Sequence, residues 1–264
     1  MTVPPGAELV PDPATLIGFY ADHRAAHVYA LVDLEEPFWS LSRWYRRGNA
    51  VVGLVSMPPD PNSSTTSNAV YAVSTRDPDG RLELLVQLLP QLRPGQLITG
   101  PIGLGDALRP HRELEWDMPM ERYHLARPED LPPPDERVVP LGRSDLPALV
   151  SLYESDPGAA FFLPHMIDDQ GFVGVFDGPD LVAAAGTHVL SESQRCAAIG
   201  AVYSRPSHRG QGLGAAVTAG AAHRILGRVD TVGLNVATGN IAARTIYETI
   251  GFDSILTYEE AQLV

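Results

Sequence analysis

Apolar positions along the chain follow two rhythms, alternation or short unbroken runs where strands are expected and an every-third-or-fourth spacing where helices are. From residue 137 the alternation of elements is easy to follow. RVVPL (137–141) reads as a short strand, and SDLPALVSLYES opens with Ser144 and Asp145 as capping candidates for a helix striped by Leu146, Leu149, Val150 and Tyr153. GFVGVFDG and DLVAAAGTHVL read as a hairpin through the turn at Gly178-Pro179-Asp180, and CAAIGAVYS as a buried strand. QGLGAAVTAGAAHRIL follows as an alanine-rich helix, TVGLNVAT as a strand, and NIAARTIYETI as a last helix closed by Gly251 ahead of the strand FDSILTY. Hairpins first and a strand-helix-strand-helix run afterwards predict an α/β chain with a mixed sheet.

The first half repeats this order. A shift of about 130 residues sets LIGFY (16–20) over LPALV (146–150), and RGNAVVGLV (47–55) over DGPDLVAAA (177–185). It also sets NAVYAVST (68–75) over the run near residue 200, and DGRLELLVQLL (79–89) over RGQGLGAAVTA (209–219). Identities are few, but the sequence of helix, hairpin, strand, helix and strand agrees. Two copies of one α/β domain are therefore expected, spanning 1–126 and 137–264. The proline-rich, charged stretch 127–136 joins them as a linker, since each proline bars its predecessor from helix.

Composition narrows the function classes. The 264 residues carry a formal net charge of −13, which disfavours nonspecific binding to nucleic acid or anionic membrane and favours cationic partners such as amines. Cys196 is the only cysteine, so no intrachain disulfide forms and a reducing interior is the natural setting. The opening MTVPPGAELVPDP has no basic residue ahead of an apolar run, and a cytoplasmic protein is expected. No His or Cys cluster has metal-ligand spacing, so no metal is expected.

The chemistry concentrates in YSRPSHRGQGLGAAV (203–217). A strand runs into glycines and then into the amino end of a helix, where unpaired N–H groups and the helix dipole favour an anion. Gly210, Gly212 and Gly214 leave the backbone open to a pyrophosphate, and Arg209 adds a cation. A mononucleotide loop needs Lys and then Ser or Thr where Ala215 and Ala216 stand. The dinucleotide pattern GxGxxG/A matches 210–215, but its first glycine should follow the strand at once and an acidic residue should end the next strand. Here Tyr203 and Gly210 are separated, and Asp230 precedes that strand.

Two motifs point to a third anion. Arg209, Gly212 and Gly214 fit the pattern Gln/Arg-x-x-Gly-x-Gly/Ala. Asn240, Ala243, Tyr247, Gly251 and Phe252 fit Asn-x-x-Ala-x-x-x-Tyr-x-x-x-Gly-Phe. In both, residues 137–260 resemble the GCN5-related N-acetyltransferase (GNAT) superfamily, with IGAVYSRPSHRGQGLG closest to its FR47-like branch. The whole chain looks like a tandem-domain member whose first copy is degenerate. Under the same shift Asp79, Leu82 and Leu84 face Arg209, Gly212 and Gly214, replacing the cation and the bare backbone.

The resemblance implies an acyl-CoA-dependent N-acyltransferase, with acetyl-CoA as cosubstrate and a small-molecule amine as acceptor. It implies coenzyme contacts at the backbone of Ala201, Val202 and Tyr203 and at the turn Arg209, Gly210, Gln211, Gly212, Leu213 and Gly214. Asn240 is expected to hydrogen-bond the coenzyme arm and Tyr247 to protonate the departing sulfur. A helix cap and a core tyrosine are the plain alternatives. The glutamate that many relatives place on the central strand is missing, leaving His188 and Glu192 as candidate bases, with Asn235 as an orienting group. The segment 157–169 is expected to shape the acceptor pocket through Phe161, Phe162, His165 and Met166, with Asp168 or Asp169 drawing an ammonium group. His208 reads as an exposed loop histidine, and Phe38, Trp39, Trp44 and Tyr45 as core or interface aromatics. A noncatalytic acyl-CoA-binding module and a protein-directed acetyltransferase are the rival functions.

Overall fold

The computed structural model describes residues 2–56, 68–74, 76–156, 158, 160–169 and 171–264. The chain divides into two compact units, Met1–Arg122 with Leu256–Val264, and Tyr123–Ile255.

In the first unit, β1 (Glu8–Leu9) precedes the helices α1 (Pro13–Tyr20), α2 (Val28–Asp33) and α3 (Phe38–Leu41). The antiparallel hairpin of β2 (Arg43–Arg47) and β3 (Ala50–Ser56) leads to β4 (Asn68–Tyr71), the helix α4 (Pro78–Leu88) and β5 (Leu97–Gly100), which lies parallel to β4. A short helix α5 (Leu104–Leu108) follows, and β6 (Leu114–Leu125) runs out of this unit into the second. Valine and alanine on β3 and β4 bury against Leu84, Leu85 and Leu88 of α4, one apolar stripe at helical spacing. Trp44 and Tyr45 are core residues, as their position in the hairpin predicts, whereas Phe38 and Trp39 are half-buried.

The second unit repeats the order. β7 (Val138–Pro140), α6 (Leu146–Glu154), the hairpin of β8 (Val173–Asp177) and β9 (Asp180–Ser191), and β10 (Cys196–Ser204) lead to α7 (Leu213–Ile225). Then come β11 (Thr231–Ala237), parallel to β10, α8 (Ile241–Thr249), and β12 (Phe252–Leu263). Gly178, at φ +58°, makes the predicted β8–β9 turn, and Gly251, at φ +97°, ends α8. Asp145 acts as foreseen at a helix start, but one step early: its carboxylate accepts from the Gly142 amide at 2.9 Å and starts a single 3-10 turn before α6.

The predicted boundary places 137–264 in one domain, yet the last strand divides. Glu259–Gln262 of β12 pair antiparallel with Leu97–Gly100 of β5, so the C-terminal residues complete the sheet of the first unit. Glu259 adds a side-chain tie there, accepting from the amides of Gly103 and Gly105 at 3.0 Å each. The pattern of FDSILTYEEAQLV alternates as any strand does, and alternation says nothing about which neighbour the strand pairs with.

The two halves also differ in register at the helix after the central strand. The internal shift aligned Asp79 with Arg209, but α4 starts at Pro78 with Asp77 as N-cap, and α7 starts at Leu213 with Gly212 as N-cap. Asp77 therefore stands where Gly212 stands. The loop ahead of α7 is longer, which displaces every later pairing under the 130-residue shift.

Candidate active site

Four residues pair β10 with β11: Cys196 to Ile199 lie beside Thr231 to Leu234. Beyond them the two parallel strands stop pairing, and Asn235 stands on β11 immediately past the last paired residue. On its other edge β10 stays with β9, but with a register shift between Gly200 and Tyr203 that marks a β-bulge. At its centre Ala201 adopts φ +52°, the left-handed region that a residue with a Cβ rarely enters. The Arg205 amide donates to the Val182 carbonyl, and Tyr203 stands opposite Ala184. Because bonded and non-bonded pairs alternate along an antiparallel ladder, Val202 and Ser204 turn their backbone groups to the other side, where β11 no longer pairs.

The strand then delivers the chain to the glycine turn. Gly210 and Gly212 have φ of +78° and +77°, and a Cβ at either would meet nothing within 4 Å. Backbone conformation, not crowding, calls for glycine here. Gly214 differs: its φ is ordinary, and a Cβ there would sit 3.3 Å from Cδ1 of Ile246, so it lets α7 approach α8. Gly212 is the N-cap of α7, no side chain caps the helix, and no acidic residue lies in its first turn. The leading amides are thus left to water or to an anion. Leu213 is buried in the core, and Gln211 is exposed, its carbonyl 3.5 Å from the Arg137 guanidinium. Arg209 is half-exposed and folds back along the strand, with Nε 3.2 Å from the Ser204 carbonyl and the guanidinium 6.0 Å from the Tyr203 ring centroid; its other end lies 3.9 Å from Asp156.

The matching place in the first unit is filled. The Asp77 carboxylate accepts from the Gly80 amide at 3.2 Å, satisfying the start of α4 with a charge of the chain's own. The strands there stay closed as well, since the Ala72 amide continues the pairing to the Thr99 carbonyl at 2.8 Å.

Tyr247 lies on α8, buried, in the core cluster that includes Leu213, Val236 and Ile246. Its ring meets Tyr123 and Phe252 with centroids 6.1 and 6.2 Å apart, and its hydroxyl has no hydrogen-bond partner among the described residues. Burial pushes its pKa up to about 12, so the phenol keeps its proton. Asn240 caps α8, its Oδ1 accepting from the Ala243 amide at 3.2 Å, a bond that engages only one end of its side-chain amide.

The candidate bases separate. Glu192 lies in the turn between β9 and β10, at the end of β10 opposite to the glycine turn, and is bonded to Arg228 at 2.8 Å. The strand between it and the bulge is several residues long, which takes Glu192 out of reach of the cleft. His188 is at the bulge. Its ring lies flat on Gly200, where a Cβ would come within 2.4 Å of it, and Nε2 is 3.1 Å from the Ala201 amide and 3.0 Å from the Phe161 carbonyl. Burial lowers its pKa below the ordinary histidine value, and the Phe161 carbonyl opposes this in part. With Nε2 engaged, His188 does not meet the cleft as a free base.

The expected pocket segment mostly packs. Met166 and Phe162 belong to a core cluster with Phe172 and Tyr203, Asp168 is exposed but paired with Arg143 at 2.6 Å, and Phe161 and His165 are exposed. Pro157, Ala159 and the side chain of Asp169 lie outside the described residues. His208 is engaged by Asp177 at 3.2 Å and by Ser207 at 2.9 Å. Sequence reasoning placed Tyr153 only on the apolar stripe of α6 and missed its hydroxyl, which donates to the Ala201 carbonyl at 2.6 Å. The available signal was a tyrosine at a buried position, whose hydroxyl must find an acceptor.

Residues 172–261 match the FR47-like protein family. Over those residues the second unit is similar to FR47-like proteins. The GNAT fold extends over the chain. A Drosophila protein superposes with a TM-score of 0.68 at 16% identity, covering 98% of each chain. A GCN5-related N-acetyltransferase from Sphaerobacter thermophilus does so at 0.58 and 14%, covering 98% of this chain and 96% of the other. A tandem GNAT protein of the clavulanic acid biosynthesis pathway superposes at 0.50 and 14%, covering 97% of both. No curated protein matches the chain. In GNAT terms, the second unit has an open central strand and a bare helix start, and the first has neither.

Proposed function

We propose that the second unit transfers an acyl group, acetyl in the simplest case, from acyl-coenzyme A directly to the nitrogen of a small amine. The observation that carries this reading is the conjunction, at one end of β10, of a strand freed from its parallel neighbour and an uncapped glycine helix start. The first suits an extended, amide-containing arm, which pairs with backbone as a strand would; the second suits its diphosphate.

In this reading the backbone of Val202 pairs with the arm, and the amides from Gly212 to Ala215 face the diphosphate, with Arg209 adding charge as it swings from Ser204. Each amide-to-anion hydrogen bond contributes about 1.5–3 kcal/mol. The amine nitrogen attacks the thioester carbon and the C–O π electrons move to oxygen, where a main-chain N–H stabilises the oxyanion. Collapse breaks the C–S bond. The thiolate takes a proton from Tyr247, the amine's surplus proton leaves to water, and the phenolate, whose pKa is pushed up to about 12, recovers its proton from solvent. Glu192 has no part in these steps, and Asn240 positions α8 as its cap. The first unit binds no coenzyme and serves as scaffold. The net charge of −13 suits a cationic acceptor.

The test is thiol release from acetyl-CoA over a panel of small amines, run with wild type and Tyr247→Phe. Turnover on at least one amine, depressed in the variant, supports the reading. Coenzyme binding with no turnover on any amine would favour a binding module instead.

A further inference from the structure

A strand residue with a side chain does not sit at φ +52° unless its surroundings hold it there. At Ala201 both backbone polar groups are held, and each by a side chain. The amide points to Nε2 of His188 at 3.1 Å, and the carbonyl accepts from the Tyr153 hydroxyl at 2.6 Å. These two come from different elements, β9 and α6, on which the bulged strand packs. Both are anchored. The His188 ring occupies the space above Gly200 that any Cβ would fill, with the Phe161 ring edge-on at 5.7 Å, and the Tyr153 ring stacks on Phe162 at 4.9 Å. Ala201 itself is buried, so water is a poor substitute for either partner.

We propose that His188 and Tyr153 are positioning residues that clamp Ala201 from both sides, so that the bulge turns the Val202 backbone into the cleft and sets it for the acyl carrier. The inference rests on the acyl-transfer reading for its consequence, though the clamp itself is a property of the folded chain. Without it, Ala201 would relax to the ordinary extended region, the one-residue bulge would close, and the residues after it would reverse the side to which their amides point. His188 does this as an acceptor at Nε2, in the neutral imidazole with its proton on Nδ1; a proton on Nε2 is donated instead to the Phe161 carbonyl 3.0 Å away and releases the Ala201 amide. Neither side chain touches the reacting atoms.

The experiment compares wild type with Tyr153→Phe, which removes one oxygen and no packing, and with His188→Leu and His188→Gln, the latter restoring an acceptor. Two quantities are read: amide hydrogen exchange at Ala201 and Val202, and acetyl-CoA affinity by calorimetry. The expected result is faster exchange at Ala201 and about tenfold weaker coenzyme binding in Tyr153→Phe and His188→Leu, with His188→Gln recovering part of both. KM for acetyl-CoA should rise more than kcat falls, which a general loss of folded protein would not produce. Should His188→Leu fail to fold, Tyr153→Phe decides alone. Unchanged exchange at Ala201 in Tyr153→Phe overturns the clamp. Faster exchange with unchanged coenzyme affinity overturns its positioning role while leaving the acyl-transfer reading intact. If wild type takes up no coenzyme, the acyl-transfer reading and the positioning role fall together, and the exchange rates still decide the clamp.

Discussion

Replacing Gly212 by Asp would write the start of α4 into the start of α7. In the first unit Asp77 adopts φ 48° and accepts from the Gly80 amide, so the same geometry tolerates an aspartate at an N-cap of this fold. For folding the change is small: Asp caps a helix a few tenths of a kcal/mol better than Gly, and the left-handed conformation at φ +77° offsets that gain. Stability should therefore stay within about 1 kcal/mol of wild type. For the coenzyme the change is large. The carboxylate occupies an amide otherwise worth about 1.5–3 kcal/mol to an anion. It also places a negative charge near the diphosphate, a repulsion of about 4 kcal/mol at 4 Å and an effective dielectric near 20, which solvent at this exposed turn reduces to about 1–2. The sum, about 2.5–5 kcal/mol, is about a hundredfold or more in affinity. Gly212→Asn fills the amide without the charge and should lose only about tenfold. Calorimetric titration with acetyl-CoA, alongside thermal melts of all three proteins, measures both terms. Melting curves alike and affinities within threefold of one another would refute the assignment of the anion to this helix start.

Other substitutions separate the remaining roles. Tyr247→Phe should lower kcat about a hundredfold or more with little change in coenzyme affinity or melting temperature, because the hydroxyl has no partner among the described residues; stopped-flow thiol release and calorimetry check the two halves. Glu192→Gln should leave kcat unchanged and cost at most about 1 kcal/mol, the scale of an exposed ion pair such as that with Arg228; a large loss of activity would return Glu192 to the chemistry. His27 in the first unit is held neutral by burial and then by the Arg122 and Arg81 guanidiniums, which lower its pKa from 6.5 to about 2. Since the folded value lies below the unfolded one, its contribution is fully present above about pH 6.5 and is lost progressively as pH falls from there toward about 2. Between pH 6.5 and 5, wild type should lose about 1.5–2 kcal/mol more than His27→Gln in urea unfolding, and equal losses would contradict the burial argument.

The fold was legible where one residue type decides one local event. Gly178, Gly212 and Gly251 all have positive φ at the turn, helix start and helix end expected of them, and alternating or helical periodicity located the elements of the second half. Pairing partners were less legible. Nothing in residues 256–263 says that they complete the first sheet, because strand pattern sets which face is buried and not which edge is met. The anion turn could be read because it depends on missing side chains. Asn240 could not be resolved from sequence, since a cap and a ligand contact use the same amide group. The bulge at Ala201 was invisible: alanine carries no signal for a left-handed conformation, and its two partners, Tyr153 and His188, are far from it along the chain. Glu192 was a candidate by proximity in sequence, and the length of β10 removed it.

The most direct test of the account is to follow backbone amide resonances while acetyl-CoA is added to the intact protein. The largest shifts should fall at Val202 and at Gly212 to Ala215, with Asp77 to Gly80 unmoved, and a nicotinamide dinucleotide should produce none of them. Shifts centred on the start of α4, or none at the start of α7 at saturating acetyl-CoA, would contradict it.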